Sequence, residues 1–119
     1  MIPEIIILAL IMVESSGRDD VFGDHGKAAG CLQIHACVIS DVNRIYGMAY
    51  TWPDSCLDRA ASIEICRLYL THYAPRNATP EILSRIWNGG PNGMKKKATN
   101  IYWKKVEIIL TQHKKDDTV

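Results

Sequence analysis

Little in this sequence points to a metal, a membrane or a nucleic acid. It has four cysteines and four histidines but no CxxC or HxxxH pair, so the ligand spacing of a zinc site is missing and no metal is expected. The apolar run over 5–13 has no positive segment before it and no small-residue cleavage site after it, which argues against a signal peptide. It is also too short to span a bilayer, so stable membrane insertion is not expected. Lys and Arg number 14 against 13 Asp and Glu, a net charge of +1, and bulk charge therefore names no partner. No aromatic ladder or nucleic-acid motif is present, so nucleic acid is not expected as a partner. Internal repeats and low-complexity stretches are missing as well.

What is present is an ordinary globular composition, 47% hydrophobic and 23% charged. Its 119 residues predict a single domain over 1–119, with a core that needs no obligatory staples. Pro3 suits the first turn of a helix and Glu4 its positive end, so a first helix is predicted from Pro3 to about Ser16-Gly17. Residues 18–29 are rich in Gly and Asp and read as loop or short hairpin. A second helix is predicted from Cys31 or Leu32 to about Tyr46, with Leu32, Ile34, Cys37, Val38, Val42 and Ile45 as its apolar stripe. A third, strongly apolar helix is expected from a cap at Asp54 or Ser55 to about Tyr73, stopped by Pro75. Thr79-Pro80-Glu81 starts a fourth, which breaks at Asn88-Gly89-Gly90-Pro91. The last is expected over 99–112, with Ile101, Val106, Ile109 and Leu110 inward. The fold class is therefore mainly α, about five helices with an irregular or hairpin lobe between the first two. Lys95, Lys96, Lys97, Lys104, Lys105, Lys114 and Lys115 crowd the last quarter and read as a solvated helix face, with attraction to a polyanion such as a cell-wall polymer as the alternative. Two disulfides in an exported protein and four buried free thiols both fit the four cysteines.

Among residues that could do chemistry, Glu14 comes first. It closes the apolar helix, where burial and the negative end of the helix dipole both disfavour a charged carboxylate, the direction a general acid needs near neutral pH. Ser15 or Ser16 could hydrogen-bond it. Asp24, in Gly23-Asp24-His25-Gly26, sits where loop exposure keeps a carboxylate ionised, able to stabilise or attack a cationic sugar centre or to activate water. Asp19 and Asp20 are rivals closer in sequence. Gln33, after Gly30-Cys31-Leu32, offers a donor and an acceptor to a sugar amide, and Asn88 offers the same beside Gly89-Gly90. Tyr46, Tyr50, Trp52, Trp87, Tyr102 and Trp103 could stack on sugar rings or simply pack. His25 and His35 are candidate ligands or bases.

Taken in order, Glu14-Ser15-Ser16-Gly17, Gly23-Asp24-His25-Gly26 and Gly30-Cys31-Leu32-Gln33-Ile34 resemble the lysozyme superfamily. The run from Arg85 through Trp87-Asn88-Gly89-Gly90-Pro91-Asn92-Gly93, followed by Thr99 and Tyr102-Trp103, is similar to the invertebrate-type, destabilase-like lysozymes. The resemblance covers nearly the whole chain, and the Asn-Gly-Gly-Pro-Asn-Gly run is its most specific part. The early motifs also resemble goose-type lysozymes and soluble lytic transglycosylases, although His35 stands where goose-type enzymes carry a second acid. The resemblance implies a lysozyme-like α+β fold and a monomeric, cofactor-free muramidase. Such an enzyme cleaves peptidoglycan strands between N-acetylmuramic acid and N-acetylglucosamine, at the cell wall, whether extracellular, periplasmic or phage-delivered. It implies Glu14 as proton donor and Asp24 as second carboxylate, and it favours a retaining reaction. It suggests Ser15, Gln33, His35, Trp87, Asn88 and Tyr102 as substrate-binding residues. A lytic transglycosylase and a non-catalytic peptidoglycan-binding or virion module are the alternatives. Ser62 and Met94 stand where the family carries cysteines, and Cys37 has no counterpart, so the family's disulfide pattern does not transfer.

Overall fold

The computed structural model describes residues 2–117, with side chains through Lys115. Its elements run α1 (Glu4–Ser15), β1 (Phe22–Gly23), β2 (Ala28–Ala29), β3 (Ile34–His35), α2 (Ala36–Tyr46), α3 (Arg59–Tyr73), α4 (Pro80–Gly89) and α5 (Lys97–Asp117). Short 3₁₀ turns at Asp54–Leu57 and Gly93–Lys95 precede α3 and α5. The chain divides into two compact units: unit 1 is Met1–Val13 with Leu70–Val119, and unit 2 is Glu14–Tyr69. Five helices and one small sheet match the expected mainly α fold.

In unit 1, α1 buries Ile6, Ile7, Ala9, Leu10 and Ile11, while Leu8 and Met12 face outward. Each fully buried Ile or Leu contributes roughly 1.5–3 kcal/mol. Thr79 caps α4 by accepting from the Ile82 N–H at 3.2 Å, with Pro80 in the first turn, as the sequence predicts. The corner between α4 and α5 is built on two glycines. A Cβ at Gly93 would lie 1.9 Å from the Arg85 carbonyl oxygen, and one at Gly89 would lie 2.5 Å from the Thr99 methyl. Arg85 threads the corner. It donates to Glu81 Oε2 at 2.7 Å, to Thr99 Oγ1 at 2.9 Å and to the Met94 carbonyl at 3.1 Å. Thr99 Oγ1 in turn lies 2.6 Å from the Gly93 carbonyl oxygen.

In unit 2 the three strands form an antiparallel meander, β1-β2-β3. Phe22 pairs with Ala29 and Gly23 with Ala28; Ala28 pairs with His35 and Ala29 with Ile34. Gly47, in the left-handed region at φ 65, closes α2. The Asn43 side chain then pins the connector, donating to the Tyr50 carbonyl at 2.9 Å and accepting from its N–H at 3.0 Å.

Several expected boundaries move. α2 begins at Ala36, not near Cys31, because Gln33 adopts φ 51 and Ile34–His35 pair into the sheet. Leu32 and Ile34 are buried, but neither belongs to the helix. α3 starts at Arg59, since Asp54 and Ser55 lie in the 3₁₀ turn and Asp58 accepts from the Ala61 N–H at 2.9 Å. α5 runs longer than predicted, and Ile101 is 66% exposed while its neighbour Tyr102 is buried. The lobe between α1 and α2 is a sheet rather than a lone hairpin. All four cysteines are free thiols: Cys31, Cys56 and Cys66 buried, Cys37 exposed.

Candidate active site

Glu14, Ser15, Asp24, Gln33 and His35 all lie in unit 2. Glu14 occupies the last turn of α1, half-buried, next to buried Ser15. Its charge is felt by Cys66: burial first, then Glu14, pushes that thiol well above the ordinary range. The turn after Glu14 is held from α3, where the Arg59 guanidinium donates to Asp19 Oδ1 at 2.9 Å and to the Gly17 carbonyl. Asp19, a rival carboxylate in the sequence, is thus engaged in holding this turn.

Asp24 owes its place to turn geometry. The Gly26 N–H returns to the Gly23 carbonyl at 3.0 Å, and the two residues between, Asp24 and His25, have φ 49 and 57. The loop of four residues between β1 and β2 continues through Gly26 at φ 85, with the Lys27 N–H donating to the Asp24 carbonyl at 3.1 Å, and Asp tolerates the left-handed region better than most residues. The turn projects Asp24 into solvent. Its carboxylate Oδ2 lies 3.3 Å from His35 Nε2, with side-chain exposures of 57% for Asp24 and 42% for His35. Sheet register explains the meeting: Gly23 and His35 are both paired to Ala28, so the turn after β1 and the end of β3 share one end of the sheet.

Gln33 braces this lobe. Its amide nitrogen donates to the Gly30 carbonyl at 2.9 Å and to the Val21 carbonyl at 3.3 Å. A Cβ at Gly23 would fall 2.2 Å from Gln33 Oε1, so a larger residue there would force the Gln33 amide to move off its two carbonyl partners. Both amide hydrogens are occupied, which leaves the carbonyl oxygen as the end able to take a new partner. Trp52 adds a further support, its indole N–H donating to the Ile34 carbonyl at 2.9 Å, and the Tyr46 hydroxyl donates to the Leu68 carbonyl at 2.8 Å. Both aromatics serve the packing of unit 2 rather than presenting open faces alone.

Trp87, Asn88 and Tyr102 belong to unit 1. Trp87 is half-buried near the end of α4, Asn88 is exposed, and Tyr102 is buried on α5. Unit 1 holds cavities of about 660 Å³ and about 420 Å³; Trp103 lines the first, and none of Trp87, Asn88 and Tyr102 lines either. Sequence reasoning missed the Asp24–His35 pair, Arg59 and Arg85. Only the strand register reveals the first, because two-residue strands leave no readable alternation. Among the described residues, no group of three or more His, Cys, Asp or Glu could hold a metal ion. Nor is any helix among them long and apolar enough to cross a membrane.

No family model matches the chain, and no curated protein matches it by sequence. Solved structures do. The chain is similar to one in the crystal structure of Aeromonas hydrophila PliI in complex with Meretrix lusoria lysozyme. There the TM-score is 0.77 at 24% identity, over 91% of this chain and 90% of that one. It is similar to Tapes japonica lysozyme, with a TM-score of 0.73 at 26% identity over 87% of each chain. It also resembles the 70 kDa soluble lytic transglycosylase SLT70 of Escherichia coli, with a TM-score of 0.76 at 21% identity. That likeness covers 89% of this chain but only 21% of the transglycosylase. The fold is that of the lysozyme superfamily.

Proposed function

We propose that this chain is a peptidoglycan-cleaving glycosidase acting at the cell wall, in which Glu14 protonates the glycosidic oxygen and Asp24 is the second carboxylate. The observation that carries this reading is that one compact unit of a lysozyme-superfamily fold holds both. Glu14 is half-buried at a helix end, and Asp24 is solvated in the loop between β1 and β2. Two carboxyls in such unequal settings suit unequal roles, a proton donor and an ionised partner for an oxocarbenium-like centre. Likeness to a lysozyme and to a lytic transglycosylase supports glycan-strand cleavage. The bond we assign is the β-1,4 link between N-acetylmuramic acid and N-acetylglucosamine. We further assign Ser15 to hydrogen-bonding the Glu14 carboxyl, and Gln33, Trp87, Asn88 and Tyr102 to sugar contacts.

The test is clearance of purified peptidoglycan. Glu14→Gln keeps the shape of the side chain but removes the transferable proton, and its rate should fall by roughly 10²–10⁴-fold. Asp24→Asn should lose most activity as well. An undiminished rate in Glu14→Gln would sink the mechanism. The likeness to SLT70 favours a second reading, lytic transglycosylation, in which the muramic acid closes on itself and needs no water. Product mass separates the two, because an anhydro end is lighter by one water.

A further inference from the structure

We propose that His35 is the positioning residue of Asp24: its imidazole, with Nε2 3.3 Å from the Asp24 carboxylate, selects the rotamer in which that carboxylate works. The proposal rests on the reading of Asp24 as the second carboxylate.

Asp24 needs such a partner. It opens the four-residue loop between β1 and β2 with more than half its side chain in water, so packing does not fix its χ angles. His35 is the opposite case. It is the last residue of β3 and the residue that leads into α2, held at φ −86 and ψ 155. Its backbone is paired to Ala28, and the residue before it, Ile34, is buried and clamped by the Trp52 indole at 2.9 Å. A line of support therefore runs from Trp52 to Ile34, to His35, and across 3.3 Å to Asp24. Fixing the carboxylate serves the reaction, because misplacement of a reacting group by about 1 Å costs on the order of 10²-fold in rate.

The experiment uses the full chain and a soluble peptidoglycan fragment, comparing kcat and KM for wild type, His35→Ala, His35→Gln, Asp24→Asn and the Asp24→Asn/His35→Ala double variant. Gln places an N–H near the position of Nε2 and serves as the rescue. We expect His35→Ala to lower kcat by about 10-fold with KM nearly unchanged, as loss of a supporting partner does. His35→Gln should stay within about 3-fold of wild type, and the double variant should match Asp24→Asn alone. A ¹⁵N-resolved spectrum of the imidazole should show the Nε2-protonated tautomer in the wild type and a mixture in Asp24→Asn. An unchanged kcat in His35→Ala overturns the proposal. So does a rise confined to KM, which would make His35 a sugar contact, and so does a further loss in the double variant. Full activity in Glu14→Gln would instead overturn the glycosidase reading. The tautomer of His35 would then still decide whether the pair exists.

Discussion

At the scale of single residues, unit 2 is tuned by backbone permission and by burial. Gly30 stands at φ 82, and a Cβ there would lie 1.7 Å from the Cys56 carbonyl oxygen, a backbone atom that cannot swing aside. Gly30→Ala should therefore destabilise by more than about 2 kcal/mol, visible in a denaturant melt, because strain and overlap act together. The thiols make a second prediction. Burial, with the charge of Cys31 adding, pushes Cys56 from 9.0 up to about 11. Above pH 9 the unfolded chain releases this proton more readily than the folded chain. The thiol's contribution is thus fully present below pH 9 and declines as pH rises toward 11, by about 1.4 kcal/mol per unit. Melts of wild type and Cys56→Ala between pH 8 and 11, scanned as a series, should show a flatter decline for the variant.

At the scale of elements, helix α1 presents a test of its own buried face. Leu10 is fully buried whereas Leu8, two residues earlier, is 41% exposed. Leu10→Ala should cost about 2–5 kcal/mol in chemical denaturation, and Leu8→Ala under about 1 kcal/mol. Equal losses would mean that α1 seats differently. The helices were the legible part of the sequence because their signals are local. Pro3 and Glu4 open α1, and Thr79-Pro80 open α4, where the structure has them. The failures were also local signals, but ones overruled by pairing. Leu32 and Ile34 continue a helical stripe on paper, yet the left-handed Gln33 and the partner strand Ala28–Ala29 claim them first. In α5 the apolar Ile101 points out and the aromatic Tyr102 goes in, a choice made by neighbours that periodicity does not see.

For the molecule as a whole, the free state of all four cysteines predicts that reductant leaves the melting temperature unchanged. The intact mass before and after reduction should likewise differ by no hydrogens, and a gain of two or four would reveal bridges. Of the candidate site, Glu14 and Asp24 could be proposed from the sequence alone, as a carboxyl at a helix end and one in a Gly-flanked loop. The Asp24–His35 contact was not, since it depends on the register of strands two residues long. The corner between α4 and α5 carries a different lesson. Gly89, Gly93, Arg85 and Thr99 fit one another, and their bonds are all accounted for inside the protein. Gly89 and Gly93 in this run therefore serve the corner itself, whatever the neighbouring Asn88 does at the surface. The corner would hold its shape with any side chain at position 14, so its fit and the fate of the Glu14 carboxyl can vary independently.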